Sequence, residues 1–80
     1  MRYIRVPHAW VEDDGKIYST DLRISPFTIE AYHASYMDYF EDGVPLSTDA
    51  TTIITKSGTT YNLLVSIQEF EEELQDFEKQ

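Results

Sequence analysis

The chain contains no cysteine, which excludes a disulfide framework, a thiolate metal site and a cysteine nucleophile. Glycine is scarce, at three residues, and none belongs to a Gly-rich phosphate-binding loop. Bases are few: six Lys and Arg stand against fifteen Asp and Glu, for a net charge of −9. Such a field repels nucleic acid and anionic membrane, so neither is expected as a direct partner. No apolar run approaches the roughly 18 residues that cross a bilayer. The opening MRYIRVPHAW also lacks an apolar stretch of signal-peptide length. These absences point to a cytoplasmic protein, in the host cell cytoplasm if viral.

Catalytic and metal motifs are equally thin. His8 and His33 are too few and too scattered for a zinc site, and each reads as a partly buried polar side chain. The run Asp38-x-x-Glu41-Asp42-Gly43 does not match the alternating acids of an EF-hand loop. No G-x-S-x-G nucleophile turn is present. No metal, cofactor or catalytic residue is expected, and a body this small has little room for a water-excluding cleft. A non-enzyme is the expectation.

What is present suits one small folded domain, residues 1–80. Hydrophobic residues make up 41% of the 80, with six Tyr, four Phe and one Trp, too rich in aromatics for a disordered tail. A second domain would lack a core of its own. The clearest element is the last. Ser66-Ile67-Gln68-Glu69 is an S-x-x-E capping box, flanked by Val65 and Phe70 in the positions of a hydrophobic staple. Ile67, Phe70, Leu74 and Phe77 then give one apolar helical stripe.

Upstream, Thr51–Thr55 and Thr59–Val65 flank Lys56-Ser57-Gly58 and predict a β-hairpin. YIRVPHAWVE and KIYSTDLRI flank Asp13-Asp14-Gly15 and predict another. Pro7 argues for an edge or bulge position in the first strand. Residues 26–40 read either as a short helix capped by Ser25-Pro26 or as a strand, with strand preferred for the Thr, Ile and Tyr content. EDGVPLSTDA reads as a loop. The expected fold is α+β: a small antiparallel sheet of four to five strands against one C-terminal amphipathic helix.

The acids fall in three clusters: Glu12-Asp13-Asp14, then Asp38 with Glu41 and Asp42, then the helix. The bland reading is a turn, a loop and a solvated face. However, residues 66–80 carry six acids and only Lys79 as a base, and like charges three or four apart repel. A helix selected for folding alone would mix the signs. Helix carboxylates at these spacings lie about 5–6 Å apart, near the spacing of nucleic-acid phosphates. Glu69, Glu72, Glu73 and Asp76, joined by Asp38, Glu41 and Asp42, are therefore candidate contacts for a basic protein surface.

The aromatics Tyr3, Trp10, Tyr18, Tyr32, Tyr36, Tyr39 and Phe40 exceed what so small a core can bury. Some are candidate interface anchors, Tyr36 and Tyr39 among them, and a homodimer stays open. With Arg2, Arg5, Arg23 or Lys56 beside them, aromatics could instead stack a nucleotide and hold its phosphate.

Residues 24–74 resemble the small flagellar FlbD/SwrD-type proteins. The resemblance is carried by Pro26 and Ile29, Thr52 and Ile54, Gly58 and Tyr61, and Ser66 with Glu69. It implies a hairpin-then-helix fold and, by extension, a flagellar assembly factor. The YFEDGVPLSTD insertion, Thr59 and the N-terminal hairpin depart from that pattern. By type, the chain also looks like the small acidic proteins that phages use against host defences: anti-CRISPR proteins, DNA-imitating restriction inhibitors and nucleotide sponges. The leading expectation is a phage-type inhibitor that binds a nucleic-acid-handling or defence protein of the host through acidic mimicry. The alternative is a sponge for a nucleotide second messenger.

Overall fold

The computed structural model describes residues 2–79. The Asp-Gly turn folds the first apolar runs into β1 (Ile4–Val11) and β2 (Ile17–Ile24), with Gly15 at φ +79°. A single 3-10 turn at Pro26–Thr28 leads into β3 (Ile29–Glu41). β4 (Val44–Thr55), β5 (Thr60–Leu63) and α1 (Ile67–Glu78) complete the chain. The strands form one antiparallel five-stranded sheet in the order β2-β1-β5-β4-β3. This is the expected α+β fold. Among the described residues, no helix is long and apolar enough to cross a membrane.

Three local expectations are corrected. The stretch 44–50, read as a loop, is the first half of β4, and the connection is only Asp42-Gly43. Both turn residues have positive φ, 52° and 77°, as a two-residue turn matched to strand twist requires. Pro7 does not sit at a sheet edge, because β1 lies between β2 and β5. Its carbonyl accepts from Leu64 N–H at 2.8 Å, so its missing donor faces β5, where pairing is confined to His8 opposite Leu63. The β2 ladder needs no donor from Pro7. His33, expected to be partly buried, is exposed. The preferred strand for the middle segment is present over 29–41, and the Ser25-Pro26 helix signal yields only the 3-10 turn.

Register assigns the side chains to two faces, since paired residues share a face and neighbours alternate. Ile4, Val6, Ile24, Ile53 and Leu63 share the face covered by α1 and form the main core with Phe70 and Phe77. Ala9, Met37 and Ala50 are buried on the opposite face, with Ile17 and Leu64 packed against them. Among the described residues, no helix covers that second face. It is closed by curling of the sheet, which brings the β1–β2 turn against β3: Phe40 N–H donates to Gly15 O at 2.7 Å. The radius of gyration is 13.4 Å, above the roughly 12 Å of a compact chain of this length. The extents of 43 × 24 × 19 Å show why: the molecule is long, not round.

Gly15 is needed twice over. Its φ is left-handed, and a Cβ there would stand 2.9 Å from Phe40 Cδ2. Gly58, at φ +92°, faces open space. Gly15→Ala is expected to cost about 1–2 kcal/mol for the backbone plus displacement of the Phe40 ring. Gly58→Ala reports the backbone cost by itself. Thermal melts of the two variants check this: equal losses would show that the Phe40 contact contributes nothing.

The start of α1 follows from its first residues. Ser66 Oγ accepts from Glu69 N–H at 3.1 Å, and Glu69 Oε1 accepts from Ser66 N–H at 3.4 Å, completing the capping box. Val65 and Phe70, the staple residues, join one cluster. Thr51 Oγ1 donates to Val65 O at 3.0 Å and ties the helix entry to β4. Ser66→Ala should lower stability by about 0.5–2 kcal/mol. A denaturant midpoint unchanged within a few tenths of a kcal/mol would remove the cap from this account.

Candidate interaction surface

Burying Phe70 and Phe77 against the sheet turns the opposite side of α1 to solvent. At about 100° per residue, Glu69, Glu72, Glu73 and Asp76 fall within one outward sector, and all four are exposed. Glu69 is partly committed to the capping box, whereas Glu72, Glu73 and Asp76 pair with no base among the described residues; the ion pair seen there is Arg5–Asp21. Glu71 lies outside the sector on the side of β3, where Tyr32 OH donates to its Oε2 at 3.5 Å, and Glu78 lines a hollow with Arg2, Phe27 and Phe77. Glu71 was not among the candidate residues, although helical spacing separates it from the other four. The last turn of α1 carries Asp76 and Glu78 and no base. Two cations offset them at this end: Lys79 is the C-cap, and Arg2 Nη1 donates to Phe77 O at 3.4 Å, as suits the negative end of the helix dipole.

The second acidic set lies elsewhere. Asp38, Glu41 and Asp42 occupy the far half of the β3–β4 hairpin, while Tyr32 on the near half touches Phe70 of α1. At about 3.3 Å per residue, Asp42 stands some 30 Å along the strand from Tyr32. The seven candidate acids therefore do not make one face. Instead, the Phe40–Gly15 bond places the hairpin end beside the Glu12–Asp14 turn, so two of the three acidic clusters share one end of the molecule.

Tyr36 and Tyr39 are likewise separated, being an odd number of residues apart in one strand. Tyr36 is 67% exposed on the helix side, and Tyr39 points to the curled side. Residues of both faces, Tyr39, Val11 and Leu46 from the curled side with Phe40 and Asp38 from the other, line a shallow hollow of about 460 Å³ at this end. Lys16, Glu41 and Asp42 line a neighbouring hollow of about 330 Å³. No group of three or more His, Asp or Glu among the described residues is placed to hold a metal ion.

Arg5 and Arg23 are turned away from the aromatics of the helix side, whereas Arg2 sits on one of them. Arg5 and Arg23 are direct cross-strand partners on the curled face, and Arg5 is paired with Asp21. The Arg2 guanidinium lies 4.7 Å from the centre of the Phe77 ring. Trp10, Tyr18, His8 and Tyr61 all lie on the helix side by register. The Trp10 and Tyr18 rings are 6.3 Å apart and 22° from parallel, His8 is 5.5 Å from Trp10, and Tyr61 meets His8 edge-on at 5.0 Å. This row spans β2, β1 and β5. Its Trp10–Tyr18 half follows from the hairpin register, but the Tyr61 half depends on how β5 docks.

Two carboxylates fix the row. Trp10 Nε1–H donates to Glu12 Oε1 at 2.7 Å, and Tyr18 OH donates to Asp14 Oδ2 at 2.8 Å. Asp14 also accepts from Lys16 N–H at 2.9 Å. The Lys16 amide first, and then the Tyr18 hydroxyl, hold the Asp14 carboxyl below its ordinary range, while the Tyr18 phenol is raised by the same bond. By sign, this turn gains its contribution above the ordinary Asp range and loses it as pH falls through the depressed value.

Comparison with family models, curated proteins and solved structures finds no match to this chain.

Proposed function

We propose that the protein is a non-catalytic interaction module of the phage-inhibitor type. It docks on a basic surface of a host nucleic-acid-handling or defence protein, with the acids of α1 standing where phosphates would. One observation carries this reading: Glu72, Glu73 and Asp76 share an exposed sector of α1 and have no basic partner among the described residues. Folding alone does not account for that choice. The like charges three and four residues apart repel one another. An ion-pairing partner turns that cost into binding energy.

The other readings make different demands. A nucleotide sponge needs a base-stacking ring and a phosphate clamp on one surface, whereas Arg5 and Arg23 face away from the aromatic row. A flagellar assembly factor needs no acidic sector at all.

Competition tests the proposal. Immobilised protein should retain a basic, nucleic-acid-binding protein from host lysate at low salt, and duplex DNA should release it. Retention that resists both excess DNA and high salt would overturn the phosphate-like role.

A further inference from the structure

The aromatic row has a composition that the acidic helix does not explain. Trp10 and Tyr18 are 36% and 42% exposed, yet the polar atom of each ring is already engaged by a carboxylate. What they offer to solvent is therefore carbon: two nearly parallel π faces with anions at their edges. Donation to a carboxylate makes each ring more electron-rich, and ring faces attract cations. The adjoining turn holds three acids, Glu12, Asp13 and Asp14, against one base, Lys16. A phosphate brought here by a stacked nucleotide would meet that charge and be repelled.

We infer that the Tyr18–Trp10–His8 row is a binding site for an arginine side chain of a protein partner. The planar guanidinium would stack on the Trp10 and Tyr18 rings and donate to Glu12, whose Oε2 accepts no hydrogen bond from the described residues. Arginine is preferred over lysine because the guanidinium is flat, less strongly hydrated and able to stack and donate together. The row lies on the same side of the sheet as α1, so one basic surface can reach both. Only the choice of occupant rests on the proposed basic partner; the site itself is defined by the rings and their carboxylates.

Trp10 is the one tryptophan in the chain, so its indole N–H resonance and its fluorescence report this site without ambiguity. The probe is a hexa-arginine peptide titrated into the isotope-labelled protein at low ionic strength, beside hexa-lysine and the uncharged hexa-citrulline. The expected result is a saturable shift of the Trp10 indole resonance by hexa-arginine, about threefold or more weaker affinity for hexa-lysine, and no shift with hexa-citrulline. Tyr18→Leu, which keeps bulk but removes the ring, and Glu12→Gln, at an exposed position, should each weaken the peptide by about fivefold. An unmoved Trp10 resonance, equal binding of hexa-lysine or hexa-citrulline, or unchanged affinity in both variants would overturn the site. Neutralising Glu72, Glu73 and Asp76 separates the two surfaces. If that variant lowers affinity while the Trp10 shift persists, both stand. If affinity is unchanged while Glu12→Gln weakens it, the arginine site stands and the helix reading fails.

Discussion

Neutralising the outward sector of α1, with Glu69→Gln, Glu72→Gln, Glu73→Gln and Asp76→Asn together, is expected to slow association with a basic partner by about tenfold or more. Dissociation should change less, because steering by exposed charge acts on the encounter and not on a buried contact. The fold should be retained. Gln at the third helical position still accepts from the Ser66 amide, so the capping box survives the change. All four side chains are exposed, and removing like-charge neighbours three and four residues apart should raise stability by a few tenths of a kcal/mol. The measurement is the association rate across a salt series, with a thermal melt as control. Wild-type association should fall steeply as salt rises, and the variant should be nearly flat. An unchanged rate and salt slope would return these acids to a solvating role.

The parts of the fold that were legible in sequence are those fixed by neighbours in the chain. Ser66 and Glu69 cap a helix from three residues apart, and Gly15 and Gly58 mark turns through their own backbone freedom. β4 was missed over 44–50 because Pro45, Ser47, Thr48 and Asp49, residues typical of loops, mask the weak alternation of Val44, Leu46 and Ala50. Those residues are mostly exposed and lie beyond the end of β5. Hydrogen bonding to the long β3 holds them, and that partner is invisible to local pattern. The site divides the same way. The acidic sector of α1 follows from helical spacing alone. The separation of Asp38, Glu41 and Asp42 from α1, and the meeting of His8 with Tyr61, depend on how strands distant in sequence are ordered. Tyr36 and Tyr39 were paired as anchors, but strand parity sends them to opposite faces.

The largest loss of stability should come from Phe70→Ala. Phe70 is fully buried among Ile4, Val6, Ile24, Ile53 and Leu63, and the Tyr32 ring meets it edge-on with centroids 5.1 Å apart. Truncating such a ring costs about 3–5 kcal/mol, against a total of roughly 4–12 kcal/mol for a domain of this length. At about 4–8 °C per kcal/mol, the melting midpoint should fall by roughly 15 °C or more. Phe70→Leu retains much of the volume and should lose markedly less. The two core clusters make the shape of the transition informative. The cluster of Ala9, Met37 and Ala50 includes no helix residue and is too small to hold the hairpins by itself. Helix ellipticity and Trp10 fluorescence should therefore decay together in a single transition. If the helical signal melts first while Trp10 keeps its folded emission, the sheet stands without α1, and the account of the helix as an integral half of the core is wrong.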